Sequence, residues 1–326
     1  MGVFKKQATT MRRASVRKVT VDIEQVGQRV DNFLRRELPG VPRSRLYRIV
    51  RKGEVRVNGG RIRPEYRLKE GDQVRIPPAK ISLGPGEAPR RQVDSLAKQI
   101  IFEDKSLLVI NKPSGIAVHG GSGVSHGAIE LLRAARPELR DLSLVHRIDR
   151  DTSGCLVFAK KRSVLRKYHE KFREGLVEKN YLALVVGDWL LGEYLVDEPL
   201  LVNHRKNGER HVVISGAGKS AQTLMTLSRS FGCYSLLLCH PLTGRTHQIR
   251  AHAKHAGHPI VGDKRYGNGR DNAAAAKNGL KRIFLHAQSI SFPDDGGNEL
   301  HFVAPLPKDL QFFLDRTTDH KNKTAT

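Results

Sequence analysis

His146-Arg-Ile-Asp-Arg-Asp-Thr-Ser-Gly154 packs two carboxylates, two guanidiniums, an imidazole and a Thr-Ser-Gly turn into nine residues. Apolar residues flank it: Leu142, Leu144 and Val145 before, Leu156, Val157 and Phe158 after. A polar knot between two strand-like segments belongs at the mouth of a sheet, where loops carry chemistry on a rigid support. Taken alone, the same residues also read as a surface turn in which Asp149 and Asp151 pair with Arg147 and Arg150, because a run of charges ordinarily marks a solvated face.

Outward from this knot the chain reads as an α+β domain. Upstream, Leu107-Leu-Val-Ile110 is a buried strand that ends in the turn Asn111-Lys-Pro-Ser-Gly115, and Ile129–Arg136 is a helix stopped by Pro137. Downstream, Ser163–Glu174 places Leu165, Tyr168 and Phe172 on one helical face, with Gly175 as the stop. Strands are expected at Tyr181–Val186, Gln222–Leu227 and Ser235–Cys239. A second polar knot follows, Leu242-Thr-Gly-Arg-Thr-His-Gln-Ile-Arg250, in which Thr246 is the expected cap of a helix running to Gly257. Strands return at Ile283–Leu285 and Leu300–Val303, ahead of a polar tail over 316–326.

The N-terminal part differs in character. Val19, Val21 and Ile23 alternate like a strand, and Arg29-Val-Asp-Asn-Phe-Leu34 opens a helix with Val30, Phe33 and Leu34 on one face. After Pro39-Gly-Val-Pro42, Ser44 is the expected cap of a helix ending at Gly53, its apolar side formed by Leu46, Ile49 and Val50. Arg45, Arg48 and Lys52 share another side. Between Arg43 and Lys52 stand five Lys/Arg and no carboxylate, a stripe suited to polyanion contact. Val55, Val57 and Asn58-Gly59 then signal a hairpin. Two short helices and a hairpin of this kind resemble the S4 RNA-binding domain. The expected organisation is a basic arm over 1–18, an S4-like domain over 19–77, a Pro/Gly linker over 78–98 and a catalytic domain over 99–315.

Composition narrows the partner. A net charge of +24 over 326 residues gains nothing for a core and points to an anionic polymer or surface. No apolar run is long enough to span a membrane, and the first residues lack a secretory apolar region. Three cysteines without a Cys-x-x-Cys pair fit a reducing, cytoplasmic location.

The chemistry narrows further. His247, His252, His255 and His258 lack the His-Glu-x-x-His pattern and a cysteine pair, so no metal site is expected. His119-Gly-Gly-Ser-Gly123 lacks a phosphate-loop spacing and reads as a flexible loop. No Gly-x-Ser-x-Gly marks a serine nucleophile. What survives is Asp149 among arginines: a carboxylate beside a guanidinium stays ionised and oriented, which suits a nucleophile and not a general acid.

The central stretch resembles the catalytic motif of the RluA branch of pseudouridine synthases, with isoleucine where leucine is usual. Lys112-Pro-Ser-Gly115, Lys179-Asn-Tyr-Leu-Ala-Leu-Val185, Gly244-Arg-Thr-His-Gln-Ile-Arg250, His258-Pro-Ile-Val-Gly-Asp263 and Leu285-His-Ala287 resemble the family's other motifs in order. Val41-Pro-Arg-Ser44 and the His119 stretch narrow the resemblance to members that act on large-subunit rRNA. The resemblance implies a large mixed, mainly antiparallel sheet flanked by helices and loops. It also implies isomerisation of uridines in 23S rRNA, or its precursor particle, by a monomer without cofactor or metal. By the same resemblance Asp149 is the nucleophile, Arg250 its partner and Tyr181 the stacking platform. Arg147 would fill the space left by the flipped-out uridine, with Arg43, Arg45, Arg48 and Lys52 on RNA.

Overall fold

Apolar residues at helical spacing build the N-terminal unit. The structure is a computed structural model that describes every residue except 1–11, 14, 39–40, 79, 82–87, 122–123, 140, 205–209, 295 and 325–326. Most of the expected basic arm therefore lies outside the described residues. The chain divides into two units, Met1–Ala88 and Pro89–Thr326.

In the first unit, β1 (Arg12–Arg13), β2 (Arg17–Thr20), α1 (Val30–Glu37) and α2 (Arg43–Arg51) precede β3 (Arg56–Val57), β4 (Gly60–Arg61), β5 (Gln73–Ile76) and β6 (Lys80–Ile81). Strands β2, β5, β3 and β4 form an antiparallel sheet in that order, and β1 pairs with β6. Val30, Phe33 and Leu34 of α1 and Leu46, Ile49 and Val50 of α2 are buried in one core with Val55, Val57, Val74 and Ile76. Asn58 and Gly59 both take positive φ, 49° and 78°, as the two-residue hairpin between β3 and β4 demands.

Two local expectations need correction here. Helix α2 starts two residues early, with Pro42 and not Ser44 at its cap position, because the proline carbonyl accepts from the Arg45 and Leu46 amides. The first strand stops at Thr20, because Asp22 caps a short 3-10 turn by accepting from the Gln25 amide at 3.1 Å, which leaves Ile23 exposed.

The second unit runs α3 (Arg90–Ala97), β7 (Ile100–Glu103), β8 (Leu107–Lys112), α4 (Ala128–Ala135), β9 (Ser143–Leu144), β10 (Ser153–Ala159), α5 (Arg162–Arg173) and β11 (Glu178–Val186). It continues through β12 (Tyr194–Asp197), β13 (Leu200–His204), β14 (Arg210–Ile214), β15 (Gln222–Ser230), β16 (Tyr234–Pro241), α6 (Gln248–His255) and α7 (Gly269–Lys277). It closes with β17 (Leu285–Pro293), β18 (Glu299–Val303) and α8 (Lys308–Thr324). Helix α3 falls inside the stretch read as linker: Pro89 fits the position before a first helical turn, and Leu96 is buried. Helix α8 runs on into the stretch read as tail, anchored by buried Leu310, Phe313 and Leu314.

A ten-stranded sheet forms the backbone of this unit, in the order β12-β15-β16-β11-β17-β10-β8-β7 with β18 on β17 and β9 on β10. Its pairs are antiparallel save β10 with β17, which places Ser153 beside His286 and Gly154 beside Ala287. The mixed, mainly antiparallel sheet and the S4-like unit thus match the expected α+β architecture. Gly154 is required at that parallel seam: its φ is +117°, and an added Cβ would sit 2.1 Å from the Ala287 carbonyl oxygen. All seven residues of β10 are buried, so the loop entering it is mounted on the most enclosed strand of the sheet. No described helix is long and apolar enough to cross a membrane.

Candidate active site

The connection from β9 to β10 carries the central polar knot, and three contacts fix its shape. Val145 donates to the Val157 carbonyl at 3.0 Å, and the Val157 amide donates to His146 Nε2 at 3.2 Å. Burial, followed by the nearby Lys179 charge, lowers the His146 pKa to about 3, so the ring stays neutral and serves as an acceptor stacked on Phe172. At the other end the Thr152 amide closes a turn onto the Asp149 carbonyl at 3.2 Å.

The turn Lys112-Pro-Ser-Gly115 clamps this loop from beneath. Lys112 is fully buried, and its Nζ donates to the carbonyls of Pro113, Ile116 and Arg150 at 2.9, 2.9 and 3.0 Å. Burial pulls its ammonium down to about 7, opposed by the charges of Asp151 and Asp149. Gly115 and Arg150 exchange two bonds of 2.9 Å, and Ser114 donates to the Asp151 carbonyl at 2.6 Å. What reads in sequence as a turn is therefore the brace that sets the height of Asp149.

Asp149 faces a cleft of about 740 Å³ lined on one side by its own loop and on the other by Tyr181 and the 241–250 segment. Arg250 of α6 donates to Asp149 Oδ2 at 3.2 Å. The same guanidinium is held by Asp263 through two bonds, Nε to Oδ2 at 2.7 Å and Nη2 to Oδ1 at 2.9 Å. Burial works against the Arg250 charge, but the Asp263 bonds and the two carboxylates outweigh it and raise its pKa. Asp263 is buried too, yet Arg250 and the amides of Arg265 and Tyr266 hold it below the ordinary carboxylate range. One fork thus spends two donors on a buried anchor and aims the third at Asp149.

Tyr181 sits on β11 beside a one-residue slip in its register with β17, between Asn180 and Tyr181. Such slips re-aim a side chain out of the regular alternation. Burial, then the Asp149 charge, keeps the phenol neutral. Arg147 is exposed, lines the same cleft and makes no hydrogen bond or ion pair among the described residues. The structure therefore gathers Asp149, Arg250, Tyr181 and Arg147 around one cavity, where the surface-turn reading would have paired Asp149 with its neighbours in sequence.

His247 was missed as a site residue. It caps α6 with φ 53°, a left-handed conformation that costs a non-glycine residue energy and marks functional sites. The expected Thr246 cap is thereby displaced by one position, because α6 begins at Gln248. The Val212 amide donates to the Tyr266 hydroxyl at 3.1 Å, and that buried hydroxyl shares a hydrogen bond of 2.9 Å with His247 Nδ1. The other ring nitrogen, Nε2, lies 3.8 Å from Asp149 Oδ2. Burial lowers the imidazole pKa to about 4, with Asp149 opposing and Arg250 assisting, so the ring is neutral. Asp263 and His247 both stood inside quoted motifs; their roles depend on contacts no spacing reveals.

The remaining histidines of this segment serve the fold. His252 joins Thr223 to the Glu198 carbonyl, His258 contacts the Val186 carbonyl and Trp189, and exposed His255 lies 3.7 Å from Glu198. Among the described residues no group of three or more His, Cys, Asp or Glu is arranged to hold a metal ion. Ser122 and Gly123 of the glycine-rich stretch lie outside the described residues, while His119 lines the cleft.

In the first unit Arg45, Arg48 and Lys52 are exposed on α2 and make no ion pair among the described residues. Arg43 is tethered: it donates to the Tyr47 hydroxyl at 3.1 Å and lies 3.7 Å from the buried Asp31.

Comparison with known proteins places these features in a family. Residues 106–255 match the RNA pseudouridylate synthase model and residues 28–74 the S4 domain. The ribosomal large subunit pseudouridine synthase C of Salmonella typhi is 51% identical over 92% of this chain and 96% of its own length. The protein of that name from Escherichia coli K12 is 50% identical over 93% and 97%. Among solved structures, human RNA Pseudouridylate Synthase Domain Containing 4 aligns with a TM-score of 0.59 at 27% identity, over 70% of this chain and 95% of its own.

Proposed function

This chain belongs to the RNA pseudouridylate synthase family, and from that premise we propose that it isomerises specific uridines of large-subunit (23S) rRNA to pseudouridine with Asp149 as nucleophile. The observation that carries this reading is the placement of the Asp149 carboxylate, braced by the Lys112 turn and gripped by Arg250, in a cleft of about 740 Å³.

The glycosidic bond of a stacked uridine is out of reach, so the nucleotide must leave its helix. That costs a few kcal/mol, to be offset by contacts to the everted base and the backbone. Tyr181 offers the base a neutral aromatic face. Arg147, with no ion pair of its own among the described residues, is free to occupy the vacated stack. Arg250, through its hydrogen bond to Oδ2, orients Asp149 for addition to C6 of uracil or C1′ of ribose. The C1′–N1 bond breaks, the base turns, C5 bonds to C1′, and the bond to Asp149 breaks so that its carboxylate is released unchanged. The C5 hydrogen passes to solvent and N1 gains a proton, so atoms and electrons balance without an oxidant or an energy source.

Exposed Arg45, Arg48 and Lys52, with tethered Arg43, supply sequence-independent attraction to phosphate. Incubation with rRNA carrying tritium at C5 of uridine tests the reading. Tritium release from 23S rRNA is expected. Tight binding without release would make the chain an RNA-binding protein that has lost catalysis, and release from tRNA alone would make it a sister enzyme of different substrate.

A further inference from the structure

A second cavity, of about 660 Å³, adjoins the first and shares Asp149, His247 and Arg250 with it. The two differ in chemistry. The first is walled by Leu144, Ile148, Phe172, Tyr181 and Leu242, surfaces that suit a base and a sugar. The second has one large apolar side chain, Ile283, and six Lys/Arg against three carboxylates. Two of those carboxylates, Asp149 and Asp263, are already bound to Arg250, while Asp151 has no ion pair among the described residues.

The cations are not all committed in the same way. Arg282 is paired with Asp309 of α8. Arg150 spends its Nε on the Gly115 carbonyl and has no ion pair, and Lys264 and Lys281 are exposed without a partner among the described residues. They come from separate segments, the nucleophile loop, the turn after Asp263 and the approach to β17, and converge on one hollow. Lys264 and Lys281 take no part in the braces around Asp149, and of the Arg150 guanidinium only Nε does.

We propose that this second cavity seats the phosphodiester groups adjoining the target nucleotide, with Arg150, Lys264 and Lys281 as the contacting cations. The proposal rests on the uridine-isomerising reading of the first cavity. A nucleotide everted toward Asp149 draws its own 5′ and 3′ phosphates after it, so an anion site adjoining the base site is where those charges arrive. The cations would stabilise the everted nucleotide by gripping its backbone while leaving the reacting atoms to Asp149.

The test uses the full chain with Lys264→Gln and Lys281→Gln combined, two exposed positions outside the catalytic braces. Its substrate is a synthetic rRNA fragment in which the modified uridine has been mapped, made with native phosphates or with uncharged methylphosphonates on either side of that uridine. On the native fragment the variant should bind about tenfold more weakly, with a salt slope smaller by about 2. On the methylphosphonate fragment variant and parent should bind alike. An equal loss on both fragments, or no loss on either, overturns the proposal. Competition by inorganic phosphate that disappears in the variant, with no effect of the methylphosphonates, would make the cavity a small-anion site and also overturn it. Failure of the parent to release tritium from any RNA would instead count against the function of the first cavity.

Discussion

The two units use arginine in opposite ways. On α2 of the first unit, Arg45 and Arg48 stand in solvent with no ion pair among the described residues. In the second unit, Arg250 is almost enclosed and has its donors assigned, two bonds to Asp263 and one to Asp149. A free guanidinium is adaptable and screened by salt; a locked one fixes direction and is costly to disturb. Recognition of a polymer calls for the first kind, and aiming one carboxylate calls for the second.

The widest separation between the two regions should come from Asp149→Asn. Turnover, followed by tritium release, should fall at least about 10⁴-fold while the dissociation constant for rRNA moves within a few-fold. Lost binding in that variant would mean the carboxylate belongs to the polymer-gripping apparatus after all. Next in size is Asp263→Asn, which strands the Arg250 charge and should cost about 3–5 kcal/mol in urea unfolding of the second unit. A change below 1 kcal/mol would show the anchor to be dispensable.

Acidification should separate the units again. Every histidine of the chain lies beyond residue 88. Burial lowers His247 and His286 to about 4, so between pH 6.5 and 4 the unfolded chain binds protons that the folded unit refuses. Stability of the second unit therefore falls with falling pH, by about 2 kcal/mol per histidine at pH 5. The first unit instead holds Asp31 with a lowered pKa, because bonds from Arg29 and Tyr47 outweigh its burial, and its loss begins only in the carboxylate range. Urea midpoints of the two transitions at pH 7 and pH 5 check this; parallel shifts would sink it. The smallest effect belongs to Arg45→Ala with Arg48→Ala: affinity for RNA should drop about tenfold with a reduced salt slope, and stability should stay within about 0.5 kcal/mol.

Local pattern carried much of this organisation. Leu46, Ile49 and Val50 announce the buried face of α2, and Asn58-Gly59 announces its hairpin, because both signals act within a few residues. The candidate site was legible as motifs: Asp149, Arg250 and Tyr181 could be named from resemblance, since each sits in a distinctive run. Their supports could not. The Asp263 fork and the Tyr266–His247 contact span 13 and 19 positions, one of the three carbonyls around Lys112 comes from Arg150, and a buried lysine looks like a surface one in a string of letters. Helix α3 was hidden by the prolines and glycines before it, and α8 by the polar residues around its three apolar anchors.

The parallel seam between β10 and β17 bears on how the protein comes to life on the ribosome. Ser153 and His286, hydrogen-bonded at 2.9 Å, are 133 positions apart. Synthesis adds about 5–20 residues each second, and amino-terminal modules mature first. The S4-like module can thus ripen seconds before the strand that must lie along Gly154 has emerged. During that interval the loop that carries Asp149 lacks the strand that completes its seam.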